Sequence, residues 1–185
     1  MIYPIVMFGD PVLKKKAIVI EPGSIDVISL AEDMFETMYA ANGVGLAAPQ
    51  IGQSVRLFII DTSQMDDEKV ADFKQVFINP EMIFENGEEW IFEEGCLSIP
   101  NIREDVERKD TVKIKYMDEQ WEEHEEVFSG IVARILQHEY DHINGILFTD
   151  HLTPLKKRLL KGKLSNISKG KVDISYLIIA PLAKV

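Results

Sequence analysis

Cysteine is almost absent from this chain, with Cys96 alone among 185 residues. An internal disulfide is therefore impossible, and a small secreted scaffold stapled by bridges is excluded. No apolar run approaches the length of a membrane span, and the opening MIYPIVMFGD has no basic segment ahead of an apolar core. The expectation is a soluble cytoplasmic protein with no membrane partner. Positive charge is also short: 20 Lys/Arg face 31 Asp/Glu, for a net charge of -11. Such a balance argues against a protein built to grip nucleic acid, and no direct DNA binding is expected. Histidine is scarce, at four positions, so each one has to be accounted for. Repeats and low-complexity stretches are missing altogether.

What is present suffices for one core. With 185 residues and 46% hydrophobic content, the chain reads as a single domain over residues 1–185, with 165–185 as a tail of unassigned role. Charge is unevenly divided along it. The first 150 residues hold 12 basic and 30 acidic groups, a net of -18, whereas His151 to Val185 hold eight basic groups and only Asp173 as an acid, a net of +7. A solvated helix face with a frayed end accounts for that segment.

Hydrophobic period assigns the elements. Ser24-Ile25-Asp26 opens an amphipathic run with Ile28, Ala31, Met34, Phe35 and Met38 at helical spacing, closed by Asn42-Gly43. VRLFIID (55–61) reads as a buried strand, followed by an acidic loop at QMDDEK. VFINP and EMIFENG read as short strands with a turn at Asn86-Gly87, and EEWIFEEGCLSIP alternates before breaking at Gly95 and Pro100. TVKIKYMD and EQWEEHEEV read as a hairpin. Ser129 is then placed to cap a helix ended by Asn144-Gly145, and a second, basic helix follows at about 153–164. Strands in the middle, helices at either side and no βαβ alternation predict an α+β fold, with antiparallel sheets packed around a central helix.

That helix carries QHEYDH (137–142). Residues four apart lie about 40° from each other around a helix, so His138 and His142 point the same way, one turn apart. Glu139 lies roughly 60° from His142. It is near enough to reach a water on a shared metal without being a ligand. Two histidines do not complete a catalytic site, and the two common peptidase completions fail. Gly145 is in place for a third His six residues after His142, but position 148 is Phe, and no Glu occurs from Ile143 to Val185. His124 lies in the acidic EEHEE run and reads as solvated; His151 sits just past the helix. Cys96 is the strongest remaining candidate, in a stretch where Trp90, Phe92, Leu97 and Ile99 read as buried. Two His and one Cys leave a fourth position open, the catalytic arrangement, and suit zinc and ferrous iron alike. A metal-stabilised binding module with a fourth protein ligand such as His151 is the rival reading, and a zinc peptidase is a third.

GVGLAAPQ (43–50), EGCLS (94–98) and QHEYDH (137–142), with DPVLKK near the start, resemble the motifs of the peptide deformylase family, over roughly residues 1–165. The resemblance implies a metal-dependent hydrolase that removes the formyl group from the N-terminal formylmethionine of new chains. It implies Cys96, His138 and His142 as ligands of one divalent metal per chain, ferrous iron first, with zinc, nickel or cobalt as substitutes. Glu139 would be the general base and acid, and Gln50 with the Leu97 N–H would bind the formyl oxygen. Val44, Gly45, Glu94 and Ile135 would line the pocket for the methionine and peptide. The apolar ending VDISYLIIAPLAKV departs from the resemblance.

Overall fold

A strand can be apolar at consecutive positions only when both its faces are covered, and VRLFIID is such a run. In the computed structural model, which describes residues 1–65 and 72–183, the chain runs β1 (Ile5–Val6), α1 (Val27–Ala40), β2 (Gly45–Ala47), β3 (Leu57–Asp61), β4 (Lys74–Cys96), β5 (Ile99–Met117), β6 (Glu123–Ser129), α2 (Gly130–Ile143), α3 (Pro154–Ser168) and β7 (Ile178–Ile179). Every residue of β3 is buried. Leu57 and Ile59 join the core cluster of Met34, Phe35 and Met38 from α1, while Phe58 and Ile60 join Ala133 and Leu136 from α2. The strand is thus the layer between two cores, one against each helix. Phe58 stacks on Phe77 of β4 at 4.7 Å between ring centroids, and each such fully buried ring stabilises the fold by about 1.5–3 kcal/mol.

Strands β2 to β6 form one antiparallel sheet in sequence order, as the α+β reading predicts. The second sheet differs. β7 pairs with β1 in parallel, Ile5 with Ile178 and Val6 with Ile179, because the tail returns past α3 and not through a hairpin.

Two breaks read from the sequence fall differently in the structure. Asn86-Gly87 is not a turn: β4 continues through it, and the register against β5 shifts between Asn86 and Glu89. Gly87 adopts φ +84°, where a side chain would be strained and would also meet Asp110 of β5. Likewise the break expected at Gly95 and Pro100 lies between them, at Leu97-Ser98, and Pro100 sits inside β5.

Helix ends follow local chemistry in part. Asp26 caps α1 by accepting from Ser29 N at 3.0 Å. Ile28, read as part of the apolar stripe, is exposed. Ser129 stands at the N-cap of α2 but its side chain makes no capping bond, since the same residue ends β6 and pairs with Thr111. The acidic loop read at QMDDEK lies largely outside the described residues.

Candidate metal centre and active-site cleft

Helix α2 supplies the first two groups. His138 and His142 lie along one side of it, edge to face, with ring centroids 5.0 Å apart. The turn between β4 and β5 supplies the third: Cys96 pairs with Ile99 across Leu97-Ser98, which puts its sulfur 3.3 Å from His142 Nε2. Ligand atoms of Cys96, His138 and His142 all lie within 4.8 Å of one another. A sulfur with two imidazole nitrogens suits zinc or ferrous iron, and the side chains fit such an ion. His138 Nδ1 bonds Glu94 Oε2 at 2.9 Å, which leaves Nε2 to face the group. His142 Nδ1 is buried without a hydrogen-bond partner among the described residues. Burial, followed by the nearby His138, pushes the His142 pKa well below its ordinary value and keeps the ring in the neutral form that binds metals.

Glu139 is 4% exposed, and its Oε2 has no hydrogen-bond partner among the described residues. Burial pushes its pKa up to about 7. Gly45 of β2 presses on this side chain, and a Cβ there would sit 2.5 Å from Glu139 Oε1. Gln50 sits in the short 3-10 turn after β2. Its Oε1 accepts from Ala47 N at 2.9 Å, so its Nε2 points the other way, 3.4 Å from the Cys96 sulfur and 3.3 Å from Ser98 Oγ. A neutral amide donor thus stands beside the ligand cluster, with its orientation fixed by the backbone.

Glu94 departs from the sequence reading in its surroundings. It borders the cleft, but besides His138 its carboxylate is held by Arg108 through Nε at 2.7 Å and Nη2 at 3.0 Å, and by Arg134 Nη1 at 2.9 Å. Burial opposes ionisation there, yet His138 and Arg108 outweigh it and hold the carboxyl well below the usual range. Arg108 reaches on to Asp141 at 2.8 Å, and Asp141 to His151 at 2.7 Å. Arg134 was legible as a problem, one charge amid the apolar GIVARIL face that needs a buried acid. Nothing in the local pattern marked Arg108.

Val44, Gly45, Gln50, Glu94, Leu97 and Ile135 border one cleft of about 490 Å³ together with Cys96, His138 and Glu139, while His142 lies beneath it. Trp90, Phe92 and Leu97, read as buried, are half-buried, and Ile99 is buried. His151 does not join the donor set, because its ring is held by Asp141. The binding-module reading thereby loses the fourth ligand named for it. His124 bonds Asp118 at 2.7 Å in the β5–β6 hairpin, far along the sheet from the cluster.

The polypeptide deformylase family model matches residues 2–158. A peptide deformylase of Cytophaga hutchinsonii is 59% identical over 184 residues, covering 100% of both chains. A crystal structure of a peptide deformylase from Legionella pneumophila superposes with a TM-score of 0.81 at 41% identity, over 92% of this chain and 98% of that one. A Met-Ala-Ser-bound class I type b peptide deformylase from Acinetobacter baumannii superposes with a TM-score of 0.77 at 39% identity, over 82% of this chain and 99% of that one.

Proposed function

The chain belongs to the polypeptide deformylase family, enzymes that remove the formyl group from N-formylmethionyl peptides, and we propose that Cys96, His138 and His142 hold its metal while Glu139, Gln50 and Leu97 carry the proton and the charge. One observation supports this reading above the others. A buried carboxylate with a free oxygen, an oriented amide N–H and a Cys/His/His donor set converge on one cleft.

When bound, the metal supplies Lewis-acid polarisation and makes hydroxide available near neutral pH. Glu139 accepts the proton of the attacking water and then delivers it to the methionine nitrogen as the formyl C–N bond breaks, releasing formate and a free amine. As the formyl oxygen gains negative charge, Gln50 Nε2–H and the Leu97 N–H donate to it. Neither donor carries a charge, so neither forms an ion pair with the carboxylate product. Val44, Gly45 and Ile135 form the apolar wall for the methionine side chain. Glu94 orients His138. A Met-Ala-Ser peptide bound to the Acinetobacter baumannii relative agrees with a peptide N-terminus in this cleft.

Ferrous iron is the metal we assign, with zinc, nickel and cobalt as substitutes, one ion per chain. Residues 1–185 act as one catalytic domain. Among the described residues no helix is long and apolar enough to cross a membrane, and the reading places the enzyme in the cytoplasm, where new chains emerge.

Anaerobic purification, metal analysis and an assay for formate release from a formyl-Met peptide test the proposal, with Cys96→Ser as the key variant. The wild-type chain is expected to hold one equivalent of metal and to cleave no internal peptide bond. Cys96→Ser should lose most of its metal on dialysis, since a serine hydroxyl stays protonated near neutral pH and is a poor ligand. A full equivalent of metal in that variant, with wild-type turnover, sinks the ligand assignment.

A further inference from the structure

The region matched to the family ends at residue 158, and the tail beyond α3 turns back toward the cleft. We propose that Tyr176, in this tail, is a positioning residue for the reaction: its hydroxyl clamps the turn that presents the Leu97 N–H to the formyl oxygen. The inference rests on the assignment of Leu97 as an oxyanion donor.

The Tyr176 hydroxyl donates to the Leu97 carbonyl at 2.7 Å, a contact between residues 79 apart in sequence. On either side of Tyr176 the tail is tied to the body. Ile5 N donates to Leu177 O at 2.8 Å and Met7 N to Ile179 O at 2.9 Å, while Asn101 Nδ2 approaches Asp173 O at 3.4 Å. Two residues past β1 the circuit is completed, with Phe8 N donating to Ser98 O at 2.9 Å. Both carbonyls of the Leu97-Ser98 turn are therefore held from outside it. The ladder closes the turn with one pair, Cys96 with Ile99, and is irregular just ahead of it, where the β4–β5 register shifts between Gly95 and Cys96.

An oxyanion donor works only if its direction is set before charge develops. Leu97 is flanked by two peptide planes, and the Tyr176 bond fixes the second of them, Leu97-Ser98. With that plane held, rotation about the Leu97 backbone bonds is restricted and the preceding plane, which carries the Leu97 N–H, is restricted with it. Without the hydroxyl, the half-buried Leu97 carbonyl loses its partner and is free to tilt in search of another. The tail acts as a strap, with Tyr176 as the point where it touches the chemistry.

Tyr176→Phe removes the hydroxyl and keeps the ring. The test compares wild type, Tyr176→Phe and Gln50→Ala, each loaded with the same metal and checked for equal metal content. Amide hydrogen exchange at Leu97 and Ser98 reads the clamp directly, and kcat and KM for a formyl-Met peptide read its effect. For Tyr176→Phe the expected result is faster exchange at both amides, kcat lower by roughly five- to tenfold, the scale of one neutral hydrogen bond, and KM within about twofold. Unchanged exchange overturns the clamp. Faster exchange with wild-type kcat overturns the catalytic link and leaves Tyr176 as an anchor for the tail. Gln50→Ala reports separately on the oxyanion reading: its kcat should fall by about 10²–10³, and wild-type turnover there defeats that reading whatever Tyr176 does.

Discussion

Glu139 lies between the two histidines on α2, yet its carboxylate oxygen Oε2 makes no hydrogen bond among the described residues. A buried acid with no partner is costly unless it has work to do. Glu139→Gln keeps the shape and removes the proton acceptor, so it should retain a full equivalent of metal while kcat falls by at least ~10²–10⁴. Plasma mass spectrometry beside the formate assay checks both, and metal loss in this variant contradicts the role. Gly45 makes a steric prediction at the same place. A methyl group there would meet three atoms of the Glu139 side chain within 2.9 Å. Gly45→Ala should therefore fold normally and bind metal, while displacing Glu139 and lowering kcat by about 10- to 100-fold, the penalty of a misplaced reactive group. Wild-type kcat in Gly45→Ala would mean that the side chain has room to move aside. HExxH spacing made Glu139 legible. Its contact with Gly45 was not, because that contact crosses from β2 to α2.

At the level of elements, α2 serves two purposes with one sequence. Ala133 and Leu136 pack on β3 and β4, while His138, Glu139 and His142 face the cleft end. Arg134 and Arg108 tie that helix to β4 and β5 through Glu94, with the Arg108 and Glu94 side chains 5% and 4% exposed. Removing one partner of a buried pair leaves the other charge uncompensated, at a cost of about 3–5 kcal/mol. Arg108→Met should lower stability on that scale in thermal or denaturant unfolding. It should also weaken metal binding by about 10- to 100-fold in a chelator competition, because Glu94 no longer holds His138 in place. The contrast is Arg103 on Glu93, 62% and 60% exposed. Arg103→Met should change stability by about 1 kcal/mol or less. Equal effects of the two substitutions would remove the special standing of the buried network.

The whole molecule is electrostatically divided. An acidic body carries a basic helix, α3, whose cations are not all equally free. Lys156 pairs with Glu104 at 2.7 Å and Lys157 bonds the Asp150 carbonyl at 2.7 Å, while Arg158, Lys161 and Lys163 are exposed. An enzyme that acts on emerging chains would gain from a hold on ribosomal RNA, and the charge of this face makes that an expectation to test. Replacing Arg158, Lys161 and Lys163 with Gln should weaken co-sedimentation with ribosomes and flatten its salt dependence, with turnover on a free peptide unchanged. Sedimentation equal to wild type would leave α3 a solvated face.

Sequence alone determined what depends on spacing along the chain. The i, i+4 histidines, the flanking glutamate, the buried run of β3, Phe148 where a third histidine ligand would stand and the lack of any glutamate after His142 are local facts, since helix and strand periods convert position directly into direction. Elimination then left Cys96. Tertiary structure decided whatever requires two distant segments to meet. It turned Asn86-Gly87 from a turn into a bulge, because β5 runs alongside and supplies the pairing that keeps β4 extended. Glu94 became the anchor of His138, since Arg108 and Arg134 arrive from other elements to neutralise it. It also brought Tyr176 back to Leu97. Hydrogen bonds and ion pairs act over about 3 Å in space, and no pattern in sequence records which distant residues the folded core will bring within that reach.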